Sequence, residues 1–163
     1  MAGNFNAGEI FDIAVQIERN GAKFYRKAAE GKAGQTSKAL LLKLAEMEVA
    51  HEKIFTAMRG ELKETETASA SYDPDCEAAL FLKAVADGHV FNVKADPSAM
   101  LSGQESAADV LKFAIRIEKN SIVFYTGIQA LVDKALGRDR IARIIGEEMG
   151  HVTLLSRELA KVS

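Results

Sequence analysis

The sequence predicts an all-α protein: a four-helix bundle in which one long crossover, containing a short helix, joins the second and third helices. Four segments place apolar residues at spacings of three and four, as amphipathic helices do. No segment has the sustained two-residue alternation that is typical of strands. The two halves of the chain also resemble each other. Residues 14–25 (AVQIERNGAKFY) are similar to residues 114–125 (AIRIEKNSIVFY), and the residues identical in both are Ala14, Ile17, Glu18, Asn20, Phe24 and Tyr25.

Length and composition favour one globular domain, residues 1–163. The chain is 48 % hydrophobic and 27 % charged, and its formal net charge of −2 gives no reason to expect nucleic acid or an anionic membrane surface as a partner. No apolar run approaches the roughly 20 residues that cross a bilayer, and the polar N-terminus does not resemble a signal peptide. A single cysteine, Cys76, excludes an intrachain disulfide, so we expect a cytoplasmic location.

The four helices are predicted from their capping signals and apolar stripes. Their ranges are 6–30, 37–60, 106–134 and 138–161, with a crossover at 61–105. The predicted N-caps are Asn6 with Glu9 as the acid at N3, Thr36 or Ser37 for the second helix, and Ser106 with Asp109. The stretch from Gly31 to Gly34 interrupts the helical pattern within the first hairpin, and Gly137 interrupts it within the second. Short links make antiparallel pairs, whereas the long crossover makes the second and third helices parallel.

Each helix has one inward stripe, and each stripe contains acidic residues among apolar ones. In the first helix the stripe is Phe11, Ala14, Ile17/Glu18, Gly21, Tyr25 and Ala28, and in the second it is Leu41, Leu44, Glu48, His51, Phe55 and Met58. In the third it is Leu111, Ala114, Glu118, Ile122, Tyr125 and Ile128, and in the fourth it is Ile141, Ile144, Glu148, His151, Leu155 and Leu159.

The crossover contains both prolines of the chain. Asp73-Pro74 fits an N-cap followed by proline at N1, which predicts a short helix that stops near Gly88. Asp96-Pro97 predicts the start of another turn. His89 has no partner at metal-ligand spacing, and Cys76 is interpreted as a small apolar filler.

A repeated Glu-x-x-His motif predicts a metal site. Glu48 and His51 are three residues apart, and Glu148 and His151 repeat them 100 positions later (148 − 48 = 100). Positions i and i+3 share one helix face, so a carboxylate and an imidazole can bind the same ion. Burying an unpaired carboxylate costs several kcal/mol, and no lysine or arginine falls on the stripes. Two divalent cations would balance four carboxylates.

The predicted metal ligands are Glu18, Glu48, His51, Glu118, Glu148 and His151. Carboxylates with some imidazole suit iron or manganese, and zinc would also fit. One Glu from each of two helices and a Glu-x-x-His from each of the others is the pattern of di-iron and di-manganese carboxylate bundles. The alternative is a set of helix-surface charges, which requires both the repeat and the stripes to be coincidences.

Tyr25 and Tyr125 each follow a predicted ligand by seven residues, about two helical turns. Each hydroxyl can hydrogen-bond a carboxylate ligand of a neighbouring helix, and can supply a proton or an electron. The alternative is a buried tyrosine that only satisfies its hydroxyl. Glu147 is close enough to contact a ligand, although glutamates at such positions more often face solvent.

The stretches IERNGAKFY and IEKNSIVFY, together with AEMEVAHEKIF and EEMGHVTLL, resemble the rubrerythrin family of ferritin-like di-iron proteins over nearly the whole chain. The resemblance implies a ferritin-like four-helix bundle that holds two iron ions and reduces hydrogen peroxide or reacts with dioxygen. It also implies a homodimer. Rubrerythrins carry a four-cysteine rubredoxin domain. With one cysteine, this chain is expected to take electrons from an external donor such as a rubredoxin-like protein.

Rubrerythrins also have an extra glutamate ligand one turn after the ligand of the third helix, where this chain has Ser121. The remaining six ligands resemble the symmetrical set of bacterioferritins. An iron-binding or iron-storage protein, or a non-catalytic metal-binding protein, is therefore the alternative to a peroxide-reducing enzyme.

Overall fold

The computed structural model describes residues 7–62, 77–88, 92, 95–132 and 134–163. This part of the chain is helical and contains no strand, as predicted. The helices are α1 (Ala7–Glu30), α2 (Gly34–Glu61), α3 (Glu77–Ala86), α4 (Ala107–Leu131) and α5 (Arg138–Val162), with one 3₁₀ turn at Pro97–Met100. Among these helices, none is both long and apolar enough to cross a membrane.

The register of the helices in the core confirms the predicted bundle topology. One apolar cluster combines the start of α1, the end of α2, the end of α4 and the start of α5, and includes Phe11, Phe55, Ile128 and Ile141. A second cluster combines the opposite ends of the same helices and includes Ala28, Leu41, Leu111 and Leu155. Therefore α2 and α4 run in the same direction, and α1 and α5 run in the other. Between the clusters lies the middle of the bundle, where the predicted ligands occur.

The start of α2 differs from the prediction. The helix begins at Gly34, and neither Thr36 nor Ser37 caps it, because the residue at the N-cap is Ala33, which makes no side-chain cap. The Thr36 hydroxyl instead donates to the Ala33 carbonyl at 3.3 Å, and the Ser37 hydroxyl donates to Glu158 Oε1 at 3.0 Å. A side chain at position 34 would put its Cβ 1.9 Å from the Ala29 carbonyl oxygen, so the tight turn requires glycine there.

The crossover contains the expected short helix, α3, which ends before Gly88 at a φ of 78°. The Asp96 carboxylate accepts from the Ser98 backbone N–H at 2.9 Å and so starts the predicted turn. The predicted cap Asn6, the Asp73-Pro74 pair, Cys76 and His89 lie outside the described residues.

The second hairpin has the predicted cap, since Ser106 Oγ accepts from the Asp109 backbone N–H at 3.1 Å. Helix α4 ends at Leu131, three residues before the predicted Lys134, because Val132 adopts an extended conformation. Its buried face includes Ser121, whereas Ile122, which was placed on the inward stripe, is only half-buried, and so is Leu159 of α5. Spacings of three and four from Glu118 fit either 121 or 122, so the pattern could not choose between them.

Candidate metal centre

All six predicted ligands lie together in the middle of the bundle, and none is more than 4 % exposed. They come from four helices: Glu18 from α1, Glu48 and His51 from α2, Glu118 from α4, and Glu148 and His151 from α5. The two imidazole rings are nearly parallel, with their centroids 5.6 Å apart. The apolar residues on either side of this layer keep it away from water.

The six side chains form two overlapping groups, each with ligand atoms within 4.8 Å of one another. We call them the His51 position (Glu18, Glu48, His51 and Glu148) and the His151 position (Glu48, Glu118, Glu148 and His151). Glu48 and Glu148 belong to both groups, so each of these carboxylates could help to hold an ion in either group. Glu18 and Glu118 each belong to one group only.

The contacts between these side chains are close but are not aligned as hydrogen bonds. His51 Nδ1 lies 3.0 Å from Glu148 Oε1 and 3.5 Å from Glu18 Oε2. His151 Nδ1 lies 2.9 Å from Glu148 Oε2, 3.2 Å from Glu48 Oε1 and 3.6 Å from Glu118 Oε2. Two ligands about 2.1 Å from one ion and at right angles to each other are about 3 Å apart. The spacings therefore suit side chains that converge on shared ions.

Unpartnered polar atoms provide a test of whether a metal fits here. Within the described residues, every buried side-chain nitrogen or oxygen without a hydrogen-bond partner belongs to this cluster. These atoms are Glu18 Oε2, Glu48 Oε1, His51 Nδ1, both oxygens of Glu148, and both ring nitrogens of His151. A buried polar atom without a partner costs about 1–3 kcal/mol. Divalent cations bound between these atoms would satisfy all but His151 Nε2, so the donor set fits a two-metal centre.

The two tyrosines link the hairpins crosswise. The Tyr25 hydroxyl of α1 donates to Glu118 Oε1 of α4, and the Tyr125 hydroxyl of α4 donates to Glu18 Oε1 of α1. Both tyrosines are fully buried. Burial raises the pKa of each phenol well above its usual value, and the nearest carboxylate raises it further. Each tyrosine is therefore a neutral hydrogen-bond donor that orients one unshared glutamate.

His51 has an additional partner at the edge of the site. Its Nε2 lies 2.8 Å from Glu147 Oε2, and Glu147 Oε1 accepts from Arg143 Nε at 2.9 Å. Contact with His51, and to a smaller extent with Arg143, holds the pKa of the Glu147 carboxyl below its usual value despite partial burial. Sequence reasoning placed Glu147 within reach of a ligand but did not identify Arg143. The Arg-x-x-x-Glu spacing on a helix was the available signal.

Without metal, the imidazoles and carboxylates share protons. Burial lowers the pKa of His51, but Glu148 and Glu18 outweigh it and raise the value to about 11. Burial likewise lowers the pKa of His151, while Glu118 and Glu148 raise it to about 9. Burial raises the pKa of Glu118 to about 8 in spite of the opposing contact with His151. At neutral pH these three groups are mainly protonated.

The two shared carboxylates differ from each other. Burial raises the pKa of Glu48 well above its usual value, and the charges of Glu118 and Glu148 add to this effect. Burial and the charge of Glu18 would also raise the pKa of Glu148. Both histidines lie against it, however, and they hold its pKa below the usual value.

Positions 21 and 121 correspond in the repeat and shape the space around the ligands. A Cβ at Gly21 would lie 3.3 Å from Glu48 Oε2, so glycine leaves room for that carboxylate. Ser121 is buried, and its hydroxyl donates to the Ile117 carbonyl of its own helix at 3.3 Å.

Fold and site together define a class: a four-helix bundle that carries a buried carboxylate–histidine cluster able to bind metal. The sequence profile of the ferritin-like domain family matches residues 6–161, so the chain belongs to that family. It is similar to a crystal structure from Thermotoga maritima that is described provisionally as a ferritin-like diiron-carboxylate protein, with 25 % identity, full coverage of both chains and a TM-score of 0.75. No curated protein matches the chain in sequence.

Proposed function

We propose that this protein is a rubrerythrin-like di-iron oxidoreductase, which reduces hydrogen peroxide with electrons from an external donor. The observation that carries the proposal is the concentration of unpartnered buried nitrogen and oxygen atoms in one cluster of four carboxylates and two imidazoles. Two divalent cations would balance the four carboxylates and would also give nearly all of these atoms a partner. The diiron-carboxylate description of the similar Thermotoga protein supports iron as the metal.

The roles of the side chains follow from their positions. Glu48 and Glu148 would help to hold both ions, while Glu18 with His51 and Glu118 with His151 would hold one ion each. Bound ferrous iron supplies Lewis acidity and the two electrons that reduction of peroxide requires. The apolar clusters above and below the layer keep bulk water from the ligands. Manganese or zinc would also suit this donor set.

Tyr25 and Tyr125 are the residues best placed to manage protons next to the centre. Each hydroxyl donates a hydrogen bond to an unshared carboxylate, and the raised pKa of the phenol keeps the proton on the phenol oxygen at neutral pH. Reduction of peroxide to water consumes protons, and a carboxylate–tyrosine pair can pass one without exposing the site to solvent.

The proposed reaction involves an electron donor, an oxidant and a second copy of the chain. Electrons would come from a separate redox protein such as a rubredoxin-like donor, and the protein would act as a homodimer. Peroxide is favoured over dioxygen as the oxidant because of the resemblance to rubrerythrins in the four quoted stretches.

The test is anaerobic reconstitution of the metal-free protein with ferrous iron, followed by metal analysis and a peroxide-consumption assay with a reduced donor. We expect two iron ions per chain and donor-dependent loss of peroxide. Glu118→Ala should lose one metal and turnover while its circular dichroism stays helical. One ion or none in the wild type, or an unchanged rate in the variant, would contradict the proposal.

Iron binding or storage is the second candidate, and the contacts of Ser121 favour it. A serine that hydrogen-bonds its own helix leaves six ligands, without the additional carboxylate of rubrerythrins. Storage requires a large shell, whereas the proposed enzyme is a dimer. Gel filtration separates the two, since a shell elutes far ahead of a dimer of 17.6 kDa chains.

A further inference from the structure

The two metal positions contain the same kinds of ligand. Each has three carboxylates and one imidazole, and two of the carboxylates are shared. Each unshared carboxylate accepts a hydrogen bond from a tyrosine of the other hairpin. A difference between the positions must therefore come from groups that touch the ligands from outside.

The surroundings of the two imidazoles break this symmetry. His51 Nε2 contacts Glu147, which Arg143 holds in place. His151 Nε2 is buried and has no hydrogen-bond partner within the described part of the chain. The repeat explains the difference, because the counterpart of Glu147 is Met47 (147 − 47 = 100). A thioether is at most a weak acceptor.

This difference affects how well each imidazole binds a metal. A histidine that ligates through Nδ1 carries its hydrogen on Nε2. A carboxylate that accepts this hydrogen fixes the tautomer and the ring orientation and makes the ligating nitrogen more basic. A buried N–H without an acceptor instead weakens the ligated state.

We propose that the two metal positions are unequal: the His51 position binds a divalent metal first and about 10- to 100-fold more tightly than the His151 position, because Glu147 supports only His51. Glu147 is thus a positioning residue for one ligand. The inference rests on the metal-binding part of the proposed function and is independent of peroxide chemistry.

The test is an anaerobic titration of the metal-free protein with Mn²⁺. Calorimetry and the electron paramagnetic resonance signal of free Mn²⁺ monitor the binding. The wild type should bind two ions in two resolved steps. Glu147→Ala should weaken the first step by about 10- to 100-fold, so that the steps merge. Met47→Glu should strengthen the second step towards the first. Glu46→Ala, which removes an exposed glutamate on α2, is the control and should keep both steps.

Crystals grown with one equivalent of Mn²⁺ locate the tighter position. Anomalous scattering should place the ion beside His51. Equal occupancy of both positions, an ion beside His151, or two unchanged steps in Glu147→Ala would overturn the inference. Because Glu147 is one-third exposed, its alanine variant should fold, so the test does not depend on Met47→Glu.

The outcomes also separate this inference from the proposed function. Two-step binding without peroxide consumption removes the proposed enzyme activity and leaves the inequality of the positions intact. A failure of the wild type to bind Mn²⁺ overturns both.

Discussion

Glu118→Gln should stabilise the metal-free protein while it weakens metal binding. The carboxyl has a pKa of about 8 in the folded protein, compared with an ordinary value of 4.5. At pH 7 it is thus mainly neutral in the folded chain and ionised in the unfolded chain. Glutamine keeps the neutral form, its size, and an oxygen that accepts from Tyr25.

The size of the effect follows from the difference in pKa. A carboxyl raised from 4.5 to about 8 destabilises the fold at pH 7 by about 3 kcal/mol. This penalty is absent below pH 4.5, grows as the pH rises towards 8, and then stays constant. Removing it should raise the melting temperature by roughly 6 to 12 °C, at about 2 to 4 °C per kcal/mol for a chain of this length.

Thermal unfolding at pH 7 and pH 4, with a chelator present, measures this effect. Glu118→Gln should melt above the wild type at pH 7, and the two should converge at pH 4. Adding Mn²⁺ should raise the melting temperature of the wild type more than that of the variant. The control is Glu46→Gln, which alters an exposed glutamate. A variant that melts at or below the wild-type temperature in chelator would refute the reasoning, because Glu118 would then be a stabilising member of an ion pair.

Three further predictions concern the ligands and the turn of the first hairpin. The same six side chains should hold both metals in the reduced and oxidised protein, and structures of the two states would check this. Ser121→Glu should add a ligand and speed peroxide consumption; an unchanged rate of peroxide consumption would count against an added ligand. Binding of metal at pH 7 should release protons and tighten as the pH rises, because both imidazoles, with pKa values of about 11 and 9, must lose a proton to ligate; calorimetry in buffers of different ionisation enthalpy measures the release, and none would contradict the prediction. Gly34→Ala should destabilise the fold by more than about 1 kcal/mol, whereas Gly60→Ala, where a Cβ meets nothing within 4 Å, should be neutral or stabilising in the same denaturant titration.

The apolar periodicity and the internal repeat predicted the helices and the inward stripes that bring the six side chains of the cluster together. Glu18 and Glu118 were identified because carboxylates on apolar stripes require compensation, and the cap at Ser106 followed from local chemistry alone. The start of α2 was missed because the tight turn after α1 packs Gly34 against the Ala29 carbonyl, and this backbone arrangement outweighs the capping preference of Thr36.

Sequence reasoning could not show which carboxylates belong to both groups of candidate ligands. The spacing shows that Glu48 and Glu18 both face inward. Only the packing of the hairpins shows that Glu48 reaches both metal positions and Glu18 one. The orientation of Ser121 towards its own backbone likewise depends on a rotamer, which a pattern of residues does not specify.

Neither hairpin contains a complete metal position. The His51 position takes three residues from the first hairpin and Glu148 from the second, while the His151 position takes three from the second and Glu48 from the first. Each hairpin in isolation therefore holds at most three ligands of either group. If the polypeptide were cut within the crossover, association of the two fragments would itself become a metal-sensing event. The ligand geometry makes this bundle a natural scaffold for a split reporter of divalent metal.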